Sequence, residues 1–484
     1  MISRGVAFAC LILLCVSVVD AARVPHQREK RAAIATVEGL APELIGLSDS
    51  IWSYAETALE ESKSSKLLAD RAEAAGFRVT RGIAGLPTAF LAEYGSGSPI
   101  IAILAEYDAL PGISQKALAA KEPLLEGAAG HGCGHNLFGA GSLGAAIAVK
   151  NLIEQGRLRG TIRLYGTPAE EAVGGKLYMV RDGLFDDVDV VLAWHPDGRT
   201  RADTKSTQAL IDLVVEFRGR AAHAAFDPWN ARSASDGAEI FAHALNLFRE
   251  HVRPSVRMHY VIVEAGRVPN VVPDYAKVWC WVRDTKRAGV EELLARVRKI
   301  AEGAALAADV TAELTVQGGD SEMLVNRSGA RLLHANLEWL GPVPFTSEEQ
   351  EFARMLQAAT GVPAEGLVER IEPLAESPGD PEGGSTDVAD VSWVAPVLHL
   401  SVATAPPNTP WHAWPVVACS GMSIGHKGMV HAAKVLAVTM VDLFKDPAAR
   451  RAIRGEFEGQ TKGEVYRPLI PAGPPPVRTQ GPAR

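Results

Sequence analysis

Six consecutive residues, His131-Gly132-Cys133-Gly134-His135-Asn136, set a thiol and imidazoles between glycines. Cys133 and His135, two residues apart, are strong donors for a borderline-soft ion such as Zn2+, which takes thiolate, imidazole and carboxylate together. Leu137 to Ile153 behind them is small and apolar and reads as a buried helix. The same chemistry recurs at Asp108 in Glu106-Tyr107-Asp108, at the pair Glu170-Glu171, and at His195 in Trp194-His195-Pro196. Taken singly, Cys133 reads equally as a small buried hydrophobe and Glu170-Glu171 as a solvated pair at a helix start. Taken together they specify a metal centre. One carboxylate of the pair is expected to bind metal, and its neighbour to hold a water and move its proton. The C-terminal part should complete the donor set from His399, His412, His426 and His431. Spacing alone leaves His412 and His426 level.

The elements that must position these residues follow from the pattern. Apolar runs at 99–105, 161–166 and 188–193 read as strands, each ending in a candidate donor, with helical stretches between them. This is the alternation of an α/β domain with a mixed, largely parallel sheet, and such sheets carry ligands at the C-terminal ends of their strands. From about residue 206 the order changes to β-α-β-β-α-β, that of a ferredoxin-like α+β sandwich, and helices resume at 331. The expected organisation is a catalytic domain of 33–205 and 331–447 with an inserted domain of 206–330. Residues 23–31 read as a flexible leader, 361–383 as a surface loop, and 466–484 as a disordered proline-rich tail.

Bulk properties exclude some partners. The chain has 484 residues, a net charge of −8 and a pI near 5.9, which gives no footing for nucleic acid or an anionic membrane. The substrate should therefore be a small molecule. Residues 1–22 carry a basic start, the uncharged apolar run Gly5 to Val19, and small residues at Ala21-Ala22. This is the layout of a signal peptide, so an exported protein, periplasmic or secreted, is expected, with no stable membrane span after cleavage. Removing that segment leaves Cys133, Cys280 and Cys419, too sparse and odd a set for a disulfide scaffold.

The segments EYDALPG, GHGCGHN, TPAEE, AWHP, GRAAHAAFDPWNARSA, PNVVPDYA, GGSTDVADVSW, TPWHAW and SIGHKGM resemble the metallo-amidohydrolases of peptidase family M20. The resemblance is to the branch of the aminobenzoyl-glutamate hydrolase B subunit, related to the plant auxin-conjugate amidohydrolases. It runs from about Leu104 to Met429. It implies a zinc-peptidase-like catalytic domain with two divalent ions, Zn2+ or Mn2+, and an inserted lid that forms a homodimer; a second kind of subunit is also possible. It implies the metal ligands Cys133, His135, Glu171, His195 and His412, with His426 the alternative to the last. Glu170 maps onto the general base, Asp108 onto an aspartate that orients a ligand, and His223 onto a lid histidine that reaches the partner subunit's site to stabilise an oxyanion. Asn270 resembles a substrate-contacting asparagine. Asp387, His426 and the strand residue Arg283 are further candidates for the substrate's polar end.

Two departures stand out. Asn136 replaces the aspartate of the auxin-conjugate motif, which puts that substrate in doubt, and Glu106 stands where carboxypeptidase G-like relatives keep a metal histidine. The implied reaction is hydrolysis of an amide in an N-acyl amino acid or dipeptide-like substrate. Glu170 takes a proton from water and later gives it to the leaving amine. Carbamoyl or ureido hydrolysis on the same site and a catalytically silent binding subunit are the alternatives; retention of the base and all ligands speaks against the second.

Overall fold

A computed structural model describes residues 25–375, 381 and 384–476; the signal-like segment lies outside them. Helices α1 (Gln27–Tyr54) and α2 (Ser62–Ala74) precede strands β1 (Arg78–Arg81), β2 (Phe90–Gly95) and β3 (Ile100–Ala105). Helix α3 (His135–Glu154), β4 (Thr161–Gly166), α4 (Gly175–Arg181), β5 (Val190–Asp197) and the short β6 (Arg201–Ala202) follow. The inserted layer holds β7 (Ala209–Arg218), α5 (Ala234–Phe248), β8 (Arg257–Glu264), β9 (Tyr275–Asp284), α6 (Arg287–Ala308) and β10 (Thr311–Asp320). The chain returns with α7 (Arg327–Leu340), α8 (Ser347–Thr360), α9 (Val388–Val391), β11 (Val397–Ala403), α10 (Trp414–Ser420), α11 (Ser423–Lys445) and α12 (Pro447–Gln460).

The larger sheet runs β1-β2-β4-β3-β5-β11-β6. Its central four strands, β4, β3, β5 and β11, are mutually parallel, and the outer pairings are antiparallel. Parallel strands covered on both faces need side chains that are apolar on both, which the runs in β3 and β5 supply. Helix α3 packs on this sheet and is apolar enough in composition to cross a membrane, but 89% of that window is buried in protein, so it is a core helix. A Cβ at Gly139 of α3 would stand 2.7 Å from the Glu106 carbonyl oxygen. The missing side chain lets the helix lie against the end of β3, beside the loop that carries Asp108.

The second sheet runs β10-β7-β9-β8, antiparallel throughout, with its own apolar core shared with α5 and α6. In β9 buried and more exposed residues alternate, as expected of a sheet with one face covered.

Two expectations for the chain ends are corrected. The basic leader is already helical from Gln27, and Lys30 is buried, with Nζ 2.6 Å from Asp442 Oδ2 and 2.8 Å from Asn336 Oδ1. The described part of the tail, 466–476, is not free chain. Tyr466 bonds Asp390 and stacks on Trp393 at 6.0 Å, Leu469 packs on the core of the inserted layer, and Gly473 accepts from Arg181 at 2.6 Å. Proline keeps this segment extended, and the apolar residues between the prolines anchor it. Helix α12 is an element the sequence pattern does not announce. The cysteines at 133, 280 and 419 are free and buried.

Candidate active site

Every donor expected at a strand end lies at the C-terminal edge of the parallel strands. Cys133 precedes α3, whose first residue is His135, and Gly134 at φ 76° makes the left-handed entry into the helix. His412 sits on the loop before α10, and its backbone N–H donates to Gly132 O at 3.1 Å. A Cβ at Gly132 would lie 3.3 Å from His412 Cα, so glycine lets these two loops touch. Ala169 and His412 both hold positive φ, at 61° and 56°. Such strain in non-glycine residues gathers where loops are fixed for function.

The donors form three groups, each with ligand atoms within 4.8 Å of one another: Cys133, His135 and His195; Cys133, Glu171 and His412; Glu106, His135 and Glu170. Cys133 belongs to the first two and His135 to the first and third, so the groups share donors. The donors are also oriented. His195 Nδ1 gives its proton to Pro196 O at 2.7 Å, which leaves Nε2 bare; the Cys133 thiol stands 3.3 Å from it. Burial, with His135 and His399 nearby, drops the His195 pKa to about 3, so the ring is neutral, as a ligand must be. Asp108 accepts from His135 Nδ1 at 2.9 Å and, through its other oxygen, from the Glu171 N–H at 2.9 Å. It thereby orients one donor and the backbone of another. His135 Nε2 and Glu171 Oε1 are buried without a hydrogen-bond partner among the described residues. Soft and hard donors with bare, inward atoms fit divalent ions.

Behind the donors lies a charge network that sequence reading misses. Lys176 is fully buried, with Nζ 2.7 Å from Glu106 Oε1 and 2.6 Å from Asp387 Oδ1. The other Glu106 oxygen is 3.1 Å from His135 Nε2, at ion-pair distance but not aligned for a hydrogen bond. Glu61, also buried, accepts from Thr88 Oγ1 and from the Ala169 N–H at 2.9 Å each, and so holds the loop that leads to Glu170. Burial and the nearby Asp108 charge push Glu61 up to about 8. Nothing in the sequence marks Lys176 or Glu61, since each reads as an ordinary surface charge.

Glu170 lines a cleft of about 500 Å³ together with Cys133, Glu171, His195 and His412. Burial, then the charges of Glu106 and Glu171, hold its carboxyl well above the usual range. The inserted layer contributes Trp281, Arg283 and Asp320 to the same lining. A wider hollow of about 680 Å³ on that layer contains none of these donors.

Several candidates stand elsewhere. His426 lies on α11, where Nε2 is 2.8 Å from Asp49 Oδ1, and does not line the cleft; its ring is already committed to that hydrogen bond. Asp387 is spent on Lys176 and does not line the cleft, so it cannot also hold a substrate. Asn136 is turned to the core too: Nδ2 donates to Ser48 Oγ at 2.9 Å and Ser420 O at 3.0 Å. It joins α3 to α1 and α10 and does not line the cleft. His223 and Asn270 are on the inserted layer, and neither lines the cleft of its own chain.

The profile of peptidase family M20/M25/M40 matches residues 102–392, more than half of the chain. The chain belongs to this family. It is 38% identical over 452 residues to the B subunit of p-aminobenzoyl-glutamate hydrolase of Escherichia coli, covering 88% of this chain and 94% of that one. It is 28% identical to the Xaa-Arg dipeptidase of Mus musculus, covering 90% and 93%. Among solved structures, a dinuclear metal-binding M20 peptidase from Bacillus subtilis superposes with a TM-score of 0.58 at 19% identity, over 84% of this chain and 99% of that one. An aminobenzoyl-glutamate utilization protein from Klebsiella pneumoniae gives 0.59 at 19% identity, over 84% and 97%. These structural likenesses show the fold. As an M20 member with the metal donors in place, the chain is a metal-dependent hydrolase of amide bonds.

Proposed function

We propose that the protein hydrolyses an N-acyl amino acid of the aminobenzoyl-glutamate type, using two Zn2+ or Mn2+ ions per chain. The observation that carries the reading is the sharing of Cys133 between two three-donor groups beside the Glu170 carboxyl. Cys133, His135, Glu171, His195 and His412 would hold the ions, which when bound supply Lewis acidity to water and to the amide carbonyl. Glu170, with its affinity for protons raised, takes the water proton and returns it to the leaving amine. Arg283, 3.1 Å from Ser385 Oγ, offers a cation to the substrate carboxylate.

A homodimer through the lid supports the rest of the site. Strand β8 is an edge strand whose Val261, Ile262 and Val263 are 59%, 40% and 54% exposed. An apolar edge of this kind invites pairing with a second copy. His223 Nδ1 accepts from the backbone N–H groups of Ala225 and Phe226 at 3.2 and 3.1 Å, so the ring carries its proton on Nε2. That proton suits an oxyanion in a partner's cleft. Residues 1–22 support export. Metal analysis of purified protein, with a screen of N-acyl amino acids, dipeptides and carbamoyl amino acids, tests the reading. Two ions per chain and turnover of aminobenzoyl-glutamate are expected; absence of both metal and turnover would sink it.

A further inference from the structure

A second polar cluster lies in the same cleft, on the catalytic sheet beside the donor His195. In the parallel register of β11 with β5, His399 pairs with Ala193 and Ser401 with His195. Paired residues point to the same side of a sheet, so His399 and Ser401 share the face of His195. Both line the cleft, as does Asp203. Asp203 Oδ2 accepts from His399 Nδ1 at 2.7 Å and from Ser401 Oγ at 2.8 Å, while its Oδ1 is 2.8 Å from Arg201 Nε. Three donors on one carboxylate fix the imidazole edge-on, as second-layer carboxylates fix histidines elsewhere.

The chemistry of the exposed edge follows. The Nδ1 proton is committed to Asp203, and Nε2 has no protein partner among the described residues. The side chain is 19% exposed, and that exposure is to the cleft. In its neutral form such a ring presents a lone pair at Nε2. Arg201 meets the charges of both Asp203 and Asp197 at this end of the cleft, at 2.8 and 3.1 Å. Arg283, proposed above as the cation for the substrate carboxylate, comes from a different layer, in β9 of the inserted sheet.

We propose that His399 is a specificity-determining residue whose Nε2 accepts a hydrogen bond from an N–H donor on the acyl half of the substrate, of the arylamine class. Asp203 is the positioning residue behind it. The assignment rests on the amidohydrolase reading above and adds to it which half of the substrate is read, and by which atom.

The test is steady-state kinetics of the metal-loaded enzyme on three glutamate amides: p-aminobenzoyl, which has the donor; benzoyl, which lacks it; and p-nitrobenzoyl, which can only accept. For the wild type, KM should be about tenfold lower for the amino compound than for the other two, the worth of one hydrogen bond in a built site. His399→Phe should raise KM for the amino compound by about tenfold, leave kcat within about twofold, and leave the other two substrates unchanged. His399→Gln, which keeps an acceptor, should restore part of the discrimination. An equal change for all three substrates would overturn the proposal, as would a fall in kcat with loss of metal, because His399 would then act through His195. Turnover of all three without discrimination by the wild type would overturn it alone. Turnover of none would overturn the substrate reading and this proposal with it.

Discussion

Glu170 stands among more negative charge than its surroundings neutralise: beyond burial, Glu106, Glu171 and Asp387 all raise its proton affinity. That environment suits a group that must take and return a proton. Glu170→Gln keeps the shape and removes the base; turnover should fall by about 10²–10⁴-fold while metal content stays at the wild-type level, read by metal analysis beside kcat. Cys133 makes the opposite prediction. Burial and the Glu171 charge push its thiol well up, and burial with the Asp108 and Glu106 charges lifts Glu171 to about 7. Both must shed protons to bind a cation, so loading releases protons and metal affinity rises with pH through the neutral range. Calorimetric titration in two buffers of different ionisation enthalpy should show that release. Cys133→Ser should weaken metal binding at both of the donor groups that share its sulfur.

At the scale of elements, the beginning of α3 is fixed by what its residues touch on the side away from the donors. Asn136 gives N–H groups to Ser48 Oγ and to the Ser420 carbonyl. A carboxylate there would face a carbonyl oxygen in a buried site. Asn136→Asp should therefore cost about 1–3 kcal/mol in chemical denaturation and leave substrate preference unchanged. The sequence alone suggests the reverse, that this position reports on substrate. A motif read along the chain does not show that successive residues of a loop and helix point in different directions. The strand ends were legible, because an apolar run ending in a polar residue is a local pattern, and Glu170, Glu171 and His195 all stand at or just past such ends. Lys176, Glu61 and Asp387 were not legible in their roles. Their meaning lies in partners 27 to 211 residues away.

At the scale of the molecule, the C-terminal segment ties the two layers together. Tyr466 lies between Trp393 of the catalytic side and Arg287 of α6, whose guanidinium is 5.1 Å from its ring, and Leu469 packs beside Gly319 of β10. Deleting residues 464–484 should loosen the inserted layer without disturbing the donors. Limited proteolysis should then cut faster at the connections near 204–208 and 320–326, with metal content unchanged.

The strand order carries a last consequence, for biosynthesis. Strands β5 and β6 are made early, but β11, which lies between them, begins at Val397 and is made after the entire inserted layer. While the chain is still on the ribosome, β5 has an open edge of its parallel sheet, and His195 has no neighbouring strand on that side. The inserted layer has a core of its own and can close before that edge is covered. Nascent chains arrested before Val397 should yield a protease-resistant fragment spanning 206–320 and a catalytic portion that is digested. The metal centre, which needs His412 beyond β11, is therefore completed only after the whole inserted layer has been made.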